Sequence, residues 1–288
     1  MQWDDEAEIV CVGSGVGGLA TAIAAVDVGF DVCVADAARL EVDDEQTDRY
    51  FRELSQDLLV GARVVLPKAT PVRVVGDLAP AEPRARRVDP FIGSGLQDWA
   101  AGCLASPYGF LYSQVTDRMA VAMRSSRGER FAVTPIGAIE SGCDLPRLDD
   151  WLCAQARRRG IDVVTDSPLL RLVFDDDCVV GAVVGTVSGP RAVRARRGVL
   201  VSTGGHDDVS VPIGDVPDNA TLHVGVLRQA PSRFGRVELL AAPPPVGSLY
   251  TTCRAANRHL MDAARETRRS VSANGCCGEL HRYPPLGQ

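Results

Sequence analysis

Residues 9–36 read IVCVGSGVGGLATAIAAVDVGFDVCVAD, and their order decides the fold. Residues 8–12 are a short apolar run of strand character, leading into Gly13, Gly15 and Gly18 in a G-x-G-x-x-G pattern. Residues 16–28 carry the alanines and leucine of a helix, and Gly29 stops it. A second apolar strand, 31–35, ends at Asp36. Strand, glycine turn, helix, strand and acid make one βαβ unit, and each part has a physical task. Gly13 permits the tight turn. Gly15, without a Cβ, lets the backbone approach a pyrophosphate, and Gly18 lets the helix pack closely on the strand. The loop and first helical turn (Ser14, Val16 and Gly17 between those glycines) present N–H groups that have no intrahelical partner and face the phosphates. Asp36, followed by Ala37, stands where a carboxylate accepts from a ribose diol. The same negative charge repels a 2′-phosphate, which disfavours NADP.

Composition sets the outer bounds. The chain has 288 residues, 45% hydrophobic and 24% charged, with a net charge of −6. Such a balance suits a globular protein and disfavours nucleic acid or an anionic membrane as partner. The N-terminal Met-Gln-Trp-Asp-Asp-Glu lacks the basic-then-apolar layout of a signal peptide, and the weakly polar stretch 16–26 is cut by Asp27. A cytoplasmic location is the expectation. Nine cysteines show no metal spacing, and Cys11, Cys33 and Cys178 sit in apolar runs, as reduced buried thiols do. No metal site is expected. Lys68 is the only lysine, so a Schiff-base mechanism has almost no candidate.

A second decisive stretch lies far downstream. Residues 148–159 form an amphipathic helix stopped by Gly160, followed by strands at 161–165, 169–174 and 178–187, the last two joined by Asp175-Asp176-Asp177. Short strands at 191–195 and 198–202 follow, and the last runs into Thr203, Gly204 and Gly205. Helix, antiparallel meander and a strand ending in Thr-Gly-Gly differ from the repeated βαβ of an NAD-only dehydrogenase. The order resembles the FAD domain of glutathione-reductase-like flavoproteins, whose Thr-Gly turn lets the chain pass close to the cofactor. The fold class expected is therefore α/β, a Rossmann-like FAD-binding domain with a central parallel sheet plus β-meander and a reduced second lobe.

Further segments narrow the resemblance. VGSGVGGLATA (12–22), DRYFREL (48–54), PVRVV (71–75), RRVDPFIGSGLQDW (86–99) and the block 148–205 together are similar to the fumarate-reductase/3-ketosteroid-dehydrogenase group of FAD proteins. Three features depart from that group. After Asp36 the family has a Gly/Ser-rich loop that contacts the flavin ring, whereas Ala-Ala-Arg-Leu leads here into the acidic segment 41–60. Only 83 residues follow Gly205, too few for the family's large substrate insertion. The family's closing segment has only the faint counterpart Asn274-Gly275-Cys276-Cys277-Gly278-Glu279.

The resemblance implies FAD as cofactor, with Gly13, Ser14, Gly15, Val16, Gly17, Gly18, Asp36, Ala37, Thr203, Gly204 and Gly205 as its binding residues. The ketosteroid branch uses tyrosines to polarise a ketone and move a proton, which makes Tyr108 and Tyr112 catalytic candidates. Residues four apart on a helix are more often a packed aromatic face. The four histidines, 206, 223, 259 and 281, form no recognisable substrate constellation.

The organisation read from the sequence is an FAD-type domain at 1–36 plus 140–206, a reduced lid or substrate-side lobe at 37–139, and a C-terminal segment, 207–288, folding back with a helical candidate at 251–269. Two functions follow. One is a flavin-dependent oxidoreductase moving a hydride between FAD and a small apolar, steroid-like or acyl substrate. The other is a degenerate non-redox relative that binds FAD, an adenine nucleotide or a steroid-like ligand as a sensor, isomerase or partner subunit. A homo-oligomer, or a partner subunit completing the flavin site, is compatible with either.

Overall fold

The computed structural model describes residues 2–37, 42–55, 72–74, 95–113, 120–124, 130–139, 147–202, 216, 220–229 and 232–242. Its opening unit is β1 (Asp5–Val12), α1 (Val16–Asp27) and β2 (Val32–Ala35). The strand β1 is buried along its last six residues without alternation, as befits a parallel strand covered on both faces. Ten residues of α1, from Val16 to Ala25, are buried, most of them small, so the helix lies close to the sheet. Gly29 terminates the unit at φ +79°, a left-handed position with open space where a Cβ would stand.

After β2 come α2 (Glu45–Ser55), β3 (Val72–Val74), α3 (Gly95–Leu104) and β4 (Gly109–Tyr112). These are followed by β5 (Val121–Arg124), β6 (Arg130–Ile139) and α4 (Leu148–Arg158). The remaining strands are β7 (Val163–Val164), β8 (Leu169–Asp175), β9 (Cys178–Val184), β10 (Arg191–Ser202), β11 (Thr221–Arg228) and β12 (Phe234–Ala242). All join one mixed sheet of twelve strands, whose main path runs β5-β6-β11-β12-β4-β10-β1-β2-β7. From β10 to β7 the pairing is parallel, and from β10 through β4 to β5 it is antiparallel. Strands from residues 37–139 and 207–288 thus share one sheet with those of 1–36 and 140–206.

The sequence expectations for 148–202 hold in outline. Helix α4 ends one residue before Arg159, and Gly160 takes φ +67°. The β8–β9 hairpin turns on Asp176 and Asp177, both at positive φ (44° and 63°), the geometry that matches the twist of a two-residue hairpin loop. One expectation changes: 191–195 and 198–202 are a single strand, β10. Gly198, at φ +139°, absorbs a register shift against β1 without breaking the pairing. Its first four residues pair with β9 and its last three pair with β4.

Two cores flank the sheet. On one face α1 and α4 pack with Ile9, Cys11, Phe110, Ile136, Leu200, Leu222 and Leu239. On the other, the meander and α2 cover Val10, Val12, Val193 and Val201. Helix α2 is anchored by its own cap. Asp44 accepts from the Thr47 amide (2.9 Å) and hydroxyl (2.6 Å), and the Thr47 hydroxyl oxygen accepts from the Leu172 amide of β8 (2.9 Å). Those bonds to Thr47 hold the Asp44 carboxyl below its usual range.

Candidate functional site

The carboxyl ends of β1 and β2 and the start of α1 meet at one end of the parallel strands. Gly13 turns the chain at φ +99°, and its amide donates to the Ala35 carbonyl at 2.8 Å, tying the loop to β2. A Cβ on Gly18 would stand 1.8 Å from the Gly13 carbonyl oxygen, so the turn closes only over glycine. The helix begins at Gly15, which is extended (φ −64°, ψ 179°) and supplies no side-chain cap, and no acidic residue occupies the first turn. An N-terminus of this kind leaves backbone donors and a partial positive charge for an anion.

Asp36 lies beside this loop. Its Oδ1 accepts from the Ser14 hydroxyl at 2.5 Å. Its amide donates to the Val164 carbonyl (2.8 Å), and its carbonyl accepts from the Ser167 amide (3.1 Å). Ala37, the next residue, is buried. The structure therefore brings Gly13, Ser14, Gly15, Val16, Gly17, Gly18, Asp36 and Ala37 into one neighbourhood, at the carboxyl ends of β1 and β2. These residues fit the ADP half of FAD: uncapped helix donors for the pyrophosphate, a glycine-closed turn, and a carboxylate for the ribose. Thr203, Gly204 and Gly205 lie outside the described residues, as do His206, His259, His281, Lys68, Cys276 and Cys277. So does the helical candidate at 251–269.

Strand β4 forms the neighbouring wall. Its Phe110 pairs with Ser202, the last described residue of β10, and with Gly235 of β12. The Phe110 ring is pressed against the start of α1, where a Cβ on Gly17 would lie 3.2 Å from the Gly109 carbonyl oxygen and 3.3 Å from Phe110 Cδ1. Tyr112 closes this strand and Tyr108 lies in the turn just before it, neither of them in a helix. With Phe110 they alternate toward α1 and are buried in the core there. Tyr112 pairs with Leu200, deep in the sheet, whereas Tyr108 precedes the strand at the end where the nucleotide loop lies.

A charged cluster that no sequence pattern announced sits where β3 and β12 pair. Glu238, buried, accepts from Arg73 Nε (2.5 Å) and Nη2 (3.1 Å) and from Arg236 Nε (2.6 Å). Burial alone would raise its pKa, but the two guanidiniums hold the carboxyl below the usual glutamate range. Arg236 stacks 4.4 Å from the Trp99 ring, whose indole donates to the Phe234 carbonyl. Arg73 and Glu238 are 165 residues apart in sequence, so nothing local could have signalled the pair.

Thiol chemistry has little support among the described residues. Cys11, Cys33, Cys103, Cys153 and Cys178 are unpaired, and burial pushes the Cys11 and Cys103 thiols up to about 12, far from the reactive thiolate. Cys178, expected to be buried, opens β9 in an exposed position. No group of three or more His, Cys, Asp or Glu among the described residues could hold a metal ion. None of their helices is long and apolar enough to cross a membrane.

The comparisons with known proteins bear on this geometry. The model of the FAD binding domain family matches residues 121–224, which span β5, β6, α4, the meander and β10. No curated protein matches the chain. Among solved structures, the 3-ketosteroid-Δ4-(5α)-dehydrogenase of Rhodococcus jostii RHA1 is similar at 19% identity and a TM-score of 0.34, covering 70% of this chain and 46% of that one. A flavocytochrome c3 fumarate reductase is similar at 19% and 0.29, covering 67% and 33%. A geranylgeranyl bacteriochlorophyll reductase-like protein of Thermoplasma acidophilum is similar at 13% and 0.30, covering 93% and 63%. The chain thus spans less than two thirds of the length of each. The domain match and the loop geometry converge on an FAD-binding domain built on a mixed α/β sheet, with FAD as its cofactor.

Proposed function

We propose that the protein is a flavin-dependent oxidoreductase that moves a hydride between FAD and a small apolar ketone, steroid-like or acyl substrate, as 3-ketosteroid dehydrogenases do. The observation that carries this reading is the uncapped, glycine-closed start of α1 beside Asp36, in a chain that also matches the FAD binding domain family. The fold is read as the glutathione-reductase type with a reduced second lobe. FAD, when bound, supplies the two-electron chemistry. The chain's part is to hold and orient. The first-turn amides of α1 would hold the pyrophosphate, Asp36 would hold the ribose, and Thr203, Gly204 and Gly205 would let the backbone pass close to the cofactor.

Of the two tyrosine candidates, Tyr108 is the one to which this proposal assigns proton exchange with substrate. It stands at the nucleotide end of β4, while Tyr112 pairs inside the sheet. A homo-oligomer or a partner subunit completing the ring side of the site belongs to the same proposal.

The test is the absorption spectrum of the purified protein. A flavin band at ~450 nm that bleaches under a reductant and returns with an electron acceptor is expected. A colourless protein that binds ADP yet fails to take up added FAD would overturn the redox reading and favour the non-redox relative. Gly15→Val should abolish nucleotide binding in either case, because a branched side chain there occupies the pyrophosphate's place.

A further inference from the structure

Asp36 is held in an uneven way. Its main chain is clamped on both sides of the peptide, by Val164 at 2.8 Å and Ser167 at 3.1 Å, across the short β2–β7 pairing. That clamp rests on a well-fixed turn. Ser167 is fully buried with its hydroxyl on the Thr165 carbonyl (3.0 Å), and Asp166 takes the left-handed φ of 49°. With the backbone immobile, only the two side-chain torsions of Asp36 remain free. The Ser14 hydroxyl fixes them, donating to Oδ1 at 2.5 Å, a charge-assisted O–H···O⁻ bond at the short end of its range. Among the described residues, Oδ2 accepts no hydrogen bond.

We propose that Ser14 is a positioning residue for ribose recognition. By occupying Oδ1 it aims Oδ2 at the ribose 2′-hydroxyl, so that Ser14 and Asp36 together select a free diol. The inference rests on the nucleotide reading of this loop and adds to it a role that the glycine pattern does not assign. The physical argument is preorganisation: a carboxylate already oriented loses less torsional freedom when ribose binds. It also explains why a residue between two motif glycines carries a hydroxyl. A serine in this place reaches the acid at the end of β2 without disturbing the N–H groups of Gly15, Val16 and Gly17.

The experiment titrates the full-length protein and its Ser14→Ala, Ser14→Thr and Asp36→Asn variants with ADP, 2′-deoxy-ADP and inorganic pyrophosphate by calorimetry, with thermal melts alongside. Wild type should prefer ADP to 2′-deoxy-ADP by about tenfold or more, the value of one hydrogen bond to a charged group. Ser14→Ala should bring that ratio close to unity while leaving pyrophosphate affinity and the melting temperature nearly unchanged. Ser14→Thr should restore the preference, and Asp36→Asn should lose it. An unchanged ADP to 2′-deoxy-ADP ratio in Ser14→Ala overturns the proposal, as does an equal loss for all three ligands, which would mean that Ser14 serves the phosphates or the fold. Failure of the wild type itself to bind ADP overturns the nucleotide reading beneath it, and the two failures cannot be confused.

Discussion

Replacing Gly18 by alanine adds one methyl group at the most crowded point of the nucleotide loop. The new Cβ would stand 1.8 Å from the Gly13 carbonyl oxygen and 3.0 Å from its carbon. Both are backbone atoms, so no side chain can swing aside, and the turn must open by about 1.2 Å to reach a tolerable contact. Overpacking of this kind costs up to about 3 kcal/mol. Opening the turn also strains the bond from the Gly13 amide to Ala35, worth about 1 kcal/mol. Alanine returns about 1 kcal/mol through its higher helix propensity. The net loss is then about 3 kcal/mol, or roughly 6–12 °C in melting temperature for a chain of this size. Because the moved segment carries Ser14 and Gly15, ADP binding should fall with it. Gly17→Ala is the internal control. Its Cβ meets Gly109 and Phe110 at 3.2–3.3 Å, a contact that a few tenths of an ångström relieve, so melting should shift little. Thermal melts and ADP calorimetry on both variants decide the matter. If Gly18→Ala melts within about 2 °C of wild type, or if Gly17→Ala is the worse of the two, the closed-turn argument is wrong.

Two further perturbations test the antiparallel half of the sheet. Gly235→Ala would put a Cβ 2.4 Å from Phe110 Cζ and 2.9 Å from the Leu227 carbonyl oxygen, and should destabilise by about 2–3 kcal/mol. Phe110→Leu should make the same substitution cheaper, a coupling that a double-mutant cycle would read directly and whose absence would mean that ring and glycine do not meet. Glu238 concerns pH. Its carboxyl is held below its unfolded value near 4.5, so the stability it contributes is complete above that pH and is lost as pH falls through the folded value. Glu238→Gln should destabilise by about 3–5 kcal/mol at neutral pH by leaving two guanidiniums without their anion. It should also flatten the acid limb of the stability profile, and an acid limb identical to wild type would assign acid unfolding to other carboxylates.

What the sequence made legible follows the distance over which each feature is encoded. The unit β1–α1–β2 could be read because its determinants are local: an unbroken apolar strand, glycines at fixed offsets, an alanine-rich helix and a terminating Gly29. The β8–β9 hairpin was equally open, since the run Asp175-Asp176-Asp177 between two apolar stretches announces a turn, and Asp176 and Asp177 take positive φ there. Reading β10 as two strands was a local error of a predictable kind. Gly198 looks like a break, and only pairing to β1 on one side and to β9 then β4 on the other shows it to be a bulge. Tyr108 and Tyr112 show the limit of spacing arguments, since residues four apart share a face in a strand as they do in a helix. Strand β4 itself was beyond local reading, because what makes Gly109–Tyr112 a strand is its seat between β10 and β12, ninety to one hundred and thirty residues away in sequence.

The same reasoning bears on the site. The motif supplied the glycines and the acid, but what turns Asp36 from an acid in the right place into an oriented one is a backbone clamp from β7 and a hydroxyl from the loop. The clamp depends on Val164 and Ser167, some 130 residues beyond the motif, and so on the pairing of β2 with β7. A chain that kept GSGVGG and Asp36 but lost that pairing would keep the fingerprint and lose the aim of the carboxylate. The specificity of such a site therefore resides in the sheet as much as in the glycines. If the proposed roles hold, destabilising β7 should weaken the preference for a ribose diol before it weakens the hold on phosphate, because the Asp36 main chain bonds directly to Val164 and Ser167 while the start of α1 is reached only through β2 and the shared core.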